Sequence, residues 1–178
     1  VLSQLGVEHS VMSGTLPMFP LGKVLVPSAV VPLQIFEPRY RTMLADVMAG
    51  DQKFGVVLIE RGSEVGGGDL RMNVGTMARV MEARPISDDR WLVVAVGLER
   101  IVVDRWLPDD PYPLAEVSKF PDEVGSGVNT EEWDALKSLT LQVLASLTEL
   151  GEIVDQATFG LGDEPAIGSF QLGGFGPF

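Results

Sequence analysis

Cysteine is absent from the 178 residues, and histidine occurs once, at His9. Without cysteine there is no disulfide framework, no thiol nucleophile and no thiolate ligand for a metal. A single histidine offers no ligand pair, and His9 lies in an opening stretch without the patterning that holds catalytic geometry. Long hydrophobic runs are also missing. The most apolar segment, Val24 to Leu33, is half of the ~20 residues that a membrane span requires, and it contains Pro27 and Pro32. Val1 to Gly14 has neither a basic start nor a continuous apolar stretch, so it does not read as a secretory signal. These absences predict a cytoplasmic chain without a membrane association.

Positive charge is scarce in one part of the chain. Residues 1–119 carry 15 acidic and 12 basic side chains, whereas residues 120–178 carry 10 acidic side chains and only Lys137. Nucleic-acid binding depends on cations meeting phosphates, so the acidic part is unsuited to it and the rest is merely neutral ground. An anionic membrane surface is disfavoured for the same reason.

The usual marks of catalysis are missing too. Gly22-Lys23 is followed by Val24, and Gly66-Gly67-Gly68 is followed by no lysine, so neither forms a phosphate loop. Ser28 and Lys23 have no context that would depress the lysine pKa. The doublets Asp88-Asp89, Asp109-Asp110 and Asp122-Glu123 lack the alternating ligand spacing of a calcium loop and read as solvated turns. The expectation is therefore no catalytic residue, no metal and no cofactor.

What is present is an ordinary globular composition, 46% hydrophobic and 21% charged. After a flexible lead-in over residues 1–14, Leu16 to Leu21 reads as a proline-interrupted edge strand, and Pro27 and Pro32 as braces of an irregular apolar loop. Pro38 opens a helix whose Tyr40, Met43, Leu44, Val47 and Met48 form one apolar stripe, closed by Gly50. Strands dominate from there to Lys119: Phe54–Ile59, Val74–Arg84, Trp91–Val96, Ile101–Val103 and Leu114–Val117, with Ser87 to Arg90 as a hairpin turn. Pro121 to Gly127 reads as a linker. Asn129 caps a second helix with an apolar face of Leu136, Leu139, Val143, Leu147 and Leu150. Pro165 opens a short helix through Phe170, where Gly173, Gly174 and Gly176 oppose continuation.

Five segments carry a family likeness: Leu16-Pro17-Met18-Phe19-Pro20-Leu21-Gly22, Pro32-Leu33-Gln34-Ile35-Phe36-Glu37-Pro38-Arg39-Tyr40, Phe54-Gly55-Val56-Val57-Leu58, Val74-Gly75-Thr76-Met77-Ala78-Arg79-Val80 and Gly97-Leu98-Glu99-Arg100. In this order and spacing they resemble the N-terminal substrate-binding domain of ATP-dependent Lon proteases, from about Thr15 to Pro121 and more weakly beyond. The resemblance implies an α+β fold: a PUA-like, β-rich pseudo-barrel over residues 15–121 with the Pro38–Ala49 helix packed on it, then a helical subdomain over residues 122–178. The glycine-rich end, Gly173 to Phe178, departs from the family pattern and leaves that subdomain's completeness open. The resemblance also implies a non-catalytic module that binds polypeptide, since the ATPase and protease functions of these enzymes reside in other domains.

The expected partners are unfolded or damaged polypeptides, or one specific folded protein such as a protease or chaperone subunit for which the chain is an adaptor. Weak homo-oligomerisation and a hydrolase of unrecognised chemistry stay as alternatives. Candidate contact residues are Phe19, Leu33 and Phe36 in the proline-stiffened segments, where little entropy is lost on binding. Arg39 and Arg41 stand in the first helical turn, where the dipole disfavours cations. This suggests either an ion pair of Arg39 or Arg100 with Glu37 or Glu99, or an arginine at the mouth of a groove. Glu37 is a further candidate contact, and Trp106 and Tyr112, which flank the Pro108–Pro113 loop, complete the set.

Overall fold

Some strands alternate buried and exposed residues, others are buried along a continuous run, and one proline-tolerant edge shapes the rest. The computed structural model describes residues 14–62, 68, 70–121, 127, 129–150, 162 and 164–173, so most of the lead-in and of the 121–127 linker lies outside the described residues. β1 spans Gly14–Leu21 and β2 Val30–Ile35, followed by helix α1 over Pro38–Ala49. Then come β3 (Lys53–Arg61), β4 (Leu70–Ser87), β5 (Arg90–Trp106) and β6 (Leu114–Lys119). Helices α2 (Thr130–Glu149) and α3 (Pro165–Gly173) follow.

The strands close a circuit. β1 runs parallel to β3, from Met18 opposite Gly55 to Leu21 opposite Leu58. β3–β4, β4–β5 and β5–β6 are antiparallel. β6 returns to β1, pairing Val117 with Gly14 and Leu114 with Pro17. Closure removes the edges that an open sheet would expose. β2 lies outside the circuit, on the first half of β5, from Val30 opposite Val96 to Ile35 opposite Trp91. β5 is long enough to serve β2 with one half and β6 with the other. Register shifts between Met77 and Ala78 and between Val80 and Glu82 bend β4 around the circuit.

The irregular loop expected around Pro32 is instead strand β2. Val31, Leu33 and Ile35 are buried while Val30, Pro32 and Gln34 are exposed, a period of two that the prolines mask in the sequence. An edge strand leaves half of its backbone groups outside the ladder, and there the missing N–H of Pro32 costs nothing. Val24 to Val26 form no strand.

Two cores result. Met18, Val57, Met77, Ile101, Val103, Ala115 and Val117 fill the barrel. The larger core lies under α1, whose Tyr40, Met43, Leu44 and Val47 are buried as the spacing predicts, while Met48 is exposed. There Phe19 sits with its ring centroid 4.6 Å from Tyr40 and 6.5 Å, edge-on, from Phe54. Aromatic pairs in such tilted arrangements add to the gain from burial.

The helical part departs from its predicted packing. Asn129 caps α2 by accepting a bond from the Glu131 amide at 3.0 Å, and Glu131 and Glu132 occupy the first turn, where the dipole favours them. The buried residues of α2 are Trp133 and Leu144, whereas Leu136, Leu139, Val143, Leu147 and Leu150 are exposed. Trp133 packs against Gly168 of α3 so closely that a Cβ there would meet the indole ring. Burying the indole on a glycine turns the helix about its axis, away from the face that leucine spacing alone selects. α3 reaches the barrel through Arg100, whose guanidinium carbon lies 5.5 Å from the Phe170 ring centroid and 4.5 Å from that of Phe120.

Candidate functional site

The end of β1 and the length of β2 enclose a groove of about 450 Å³. Phe19, Leu21, Gly22 and Lys23 form one wall, and Pro32, Leu33, Gln34 and Phe36 the other. Both walls are strand margins. β6 accompanies β1 only from Gly14 to Pro17, so Phe19 to Leu21 have β3 on one side and, among the described residues, no strand on the other. β2 has β5 alone. Pro20 and Pro32 each remove a donor from these margins, which discourages uncontrolled strand addition while leaving carbonyl acceptors.

The floor is apolar, with Lys23 in the lining and Arg90 beside Phe36. Phe19 and Leu33 are buried in the α1 core and reach the groove from below, whereas Phe36 is 42% exposed. The Arg90 guanidinium carbon lies 5.9 Å from the Phe36 ring centroid, and Lys23 is exposed on the opposite wall. Three of the predicted contact residues, Phe19, Leu33 and Phe36, are thus brought into one cavity.

Glu37 and Arg39 stand next to Phe36 in sequence. Arg39 Nε donates to Glu37 Oε2 at 3.1 Å, and its guanidinium carbon lies 4.4 Å from the Tyr40 ring centroid. That is the ion pair expected of Arg39, and it locks the entry of α1 against the sheet. Its buried Nη2 has no acceptor among the described residues. Glu99, the other expected carboxylate, pairs with Lys119 at 2.8 Å, and Arg100 is held by the two phenylalanine rings. Arg41 is exposed on α1.

Trp106 and Tyr112 stand apart from the groove. The Trp106 indole N–H donates to Asn73 Oδ1 at 3.1 Å, and Arg71 stacks on the ring at 4.9 Å while gripping Asp109. Tyr112 is buried, and its hydroxyl donates to Asp46 Oδ2 of α1 at 2.8 Å. Burial, and then the bond to the Asp46 carboxylate, push the phenol up from its ordinary 10.0 to about 12. The folded chain thus keeps this proton where the unfolded chain loses it, so stability falls as pH climbs from 10 toward 12. Denaturant titrations across that range should show a steeper loss for the native chain than for Tyr112→Phe; equal slopes would refute the linkage.

Lys23 and Gln34 were not among the predicted contact residues, and their shared cavity adds them. No helix among the described residues is long and apolar enough to cross a membrane.

Comparison with known proteins gives a consistent picture. The family model of the ATP-dependent protease La (Lon) substrate-binding domain matches residues 15–163. Lon protease 2 of Myxococcus xanthus is 31% identical over 140 residues, covering 76% of this chain and 17% of that protein. The Lon protease of Anaeromyxobacter dehalogenans is 32% identical over 142 residues, covering 76% and 16%. The chain thus spans about a sixth of the length of these relatives. Among solved structures, a Lon N-terminal domain protein from Xanthomonas campestris superposes with a TM-score of 0.67 at 25% identity, covering 93% of this chain and 84% of that one.

Proposed function

The chain belongs to the family of Lon substrate-binding domains, and from that premise we propose that it is a non-catalytic module that captures non-native polypeptide in the groove between β1 and β2. The observation that carries this reading is the pairing of an apolar floor with two strand margins in one cavity. An extended segment laid there places alternate side chains on Phe19, Leu33 and Phe36, and its amides face backbone carbonyls. Native proteins bury such alternating apolar segments; unfolded ones offer them. Selectivity for the non-native state follows without any reactive group.

Lys23, which lines the groove, and Arg90, beside Phe36, add positive charge to a chain whose net charge is −12. They favour segments with carboxylates flanking the apolar residues, and they make capture weaken with salt. The match to the substrate-binding domain supports a recognition role separate from ATP hydrolysis and peptide cleavage.

A titration of a reduced, permanently unfolded protein into the labelled chain, without nucleotide, tests the proposal. Saturable binding at micromolar concentration, abolished when the same protein is added folded, is the expected result. Indifference to the unfolded chain, together with capture of one folded partner, would replace this reading with that of a dedicated adaptor.

A further inference from the structure

A second cavity, of about 180 Å³, opens at the end of the barrel and shares no residue with the groove. It exists because β1 and β3 pair only from Met18 and Gly55 onward, so their first residues splay apart. Through that gap the barrel interior is reached: Leu16, Met77, Ile101 and Val117 form the floor. An apolar cavity of ~150 Å³ suffices to bind a benzene-sized molecule, so this one accommodates a single branched or aromatic side chain.

The rim holds two ion pairs. Lys53 Nζ lies 3.4 Å from Asp51 Oδ2, and Lys119 Nζ lies 2.8 Å from Glu99 Oε2. In each pair one member is turned inward. The Lys53 side chain is 20% exposed against 69% for Asp51, and Glu99 is 27% exposed against 53% for Lys119. The two charges closest to the barrel interior are therefore one cation and one anion, and each already has a counter-ion on its solvent side. Such a rim does not select a ligand of one sign. It complements a molecule that carries both.

We propose that this barrel-end cavity is a binding site for a free hydrophobic α-amino acid, with its side chain on Met77, Ile101 and Val117, its carboxylate at Lys53 and its ammonium at Glu99. An internal residue of a polypeptide has no charge at either position, and a peptide terminus has only one. The rim therefore separates the free amino acid from the polypeptide bound elsewhere on the same chain. A module that captures polypeptide and senses a product of polypeptide breakdown would have its two ligands on separate surfaces.

Calorimetric titration with L-leucine, L-methionine and L-phenylalanine provides the test, with glycine, N-acetyl-L-leucine and L-leucinamide as controls. The expected result is saturable binding at about millimolar affinity or tighter for the three apolar amino acids, and no binding of glycine. Loss of either charge should weaken binding by about tenfold, the scale of one partly desolvated ion pair. Lys53→Met and Glu99→Gln, both at the rim, should reproduce those two losses separately while leaving the circular dichroism spectrum and the binding of unfolded protein unchanged. Equal binding of the capped and free leucine would overturn the zwitterion assignment, and absence of heat with all three amino acids would overturn the site. Neither outcome bears on the groove, whose ligand is assayed independently.

Discussion

Gly97→Ala is expected to remove about 1–3 kcal/mol of stability and to abolish polypeptide capture in the fraction that still folds. Gly97 lies in β5, where a Cβ would run into the backbone carbonyl oxygen of Val26. Backbone cannot swing aside as a long side chain can. Three hydrogen bonds clamp the segment between β1 and β2 onto the barrel. The Ser28 amide donates to the Gly97 carbonyl at 2.8 Å, and the Gly97 amide donates to Ala29 at 2.9 Å. Buried Thr76 donates through Oγ1 to the Leu25 carbonyl at 2.6 Å. Ser28 itself adopts φ 65°, a left-handed conformation that the clamp must hold against its own cost. Pushing Val26 outward breaks these bonds together and displaces Lys23 and Gly22 from the wall of the groove. Denaturant midpoints measure the first effect and titration with unfolded protein the second. A variant that binds normally would show that this segment is not part of the site.

Phe36→Ala separates binding from stability. The ring is 42% exposed and touches Arg90 through a contact worth only a few tenths of a kcal/mol to about 1 at such a site. Truncation should therefore change the denaturant midpoint little. In a complex the same ring becomes desolvated between the bound segment and the floor of the groove, the situation in which an aromatic contributes about 2 kcal/mol, or roughly thirtyfold in affinity. Phe19 and Leu33 cannot be used in this way. Both are buried in the core under α1, and their removal would cost stability before it informed on binding. Unchanged affinity for Phe36→Ala would exclude the groove as the point of capture.

The contrast among these three residues marks what the sequence makes legible. Periodicity identifies α1, because Tyr40, Met43, Leu44 and Val47 repeat at helical spacing and nothing competes for them. The Ser87–Arg90 turn is legible for the same local reason, with Ser87 pairing Arg90 across it. The family likeness is carried by five short segments and extends to the fold as a whole. β2 was hidden because Pro32 breaks the appearance of a strand, although an edge position tolerates it. The face of α2 was misread because Trp133 finds a glycine on α3, and such a fit between distant residues leaves no periodic trace.

The groove is legible only in part. Phe19, Leu33 and Phe36 stand out through their proline-rich surroundings. Which of them is exposed depends on where α1 lands, and Lys23 joins them only through the loop that Gly97 secures. The barrel-end cavity is less legible still. Lys53 and Glu99 are 46 positions apart and line one cavity because β3, β4 and β5 are laid side by side with a particular register. No local pattern encodes that arrangement.

Backbone amide shift mapping puts the capture of non-native chains to its most direct trial. On addition of a reduced, unfolded protein, the amides of Phe19 to Lys23, except that of Pro20, and of Val31 to Phe36, except that of Pro32, should shift together and saturably. Shifts confined to the exposed leucines of α2, or spread without saturation over the whole surface, would contradict the account.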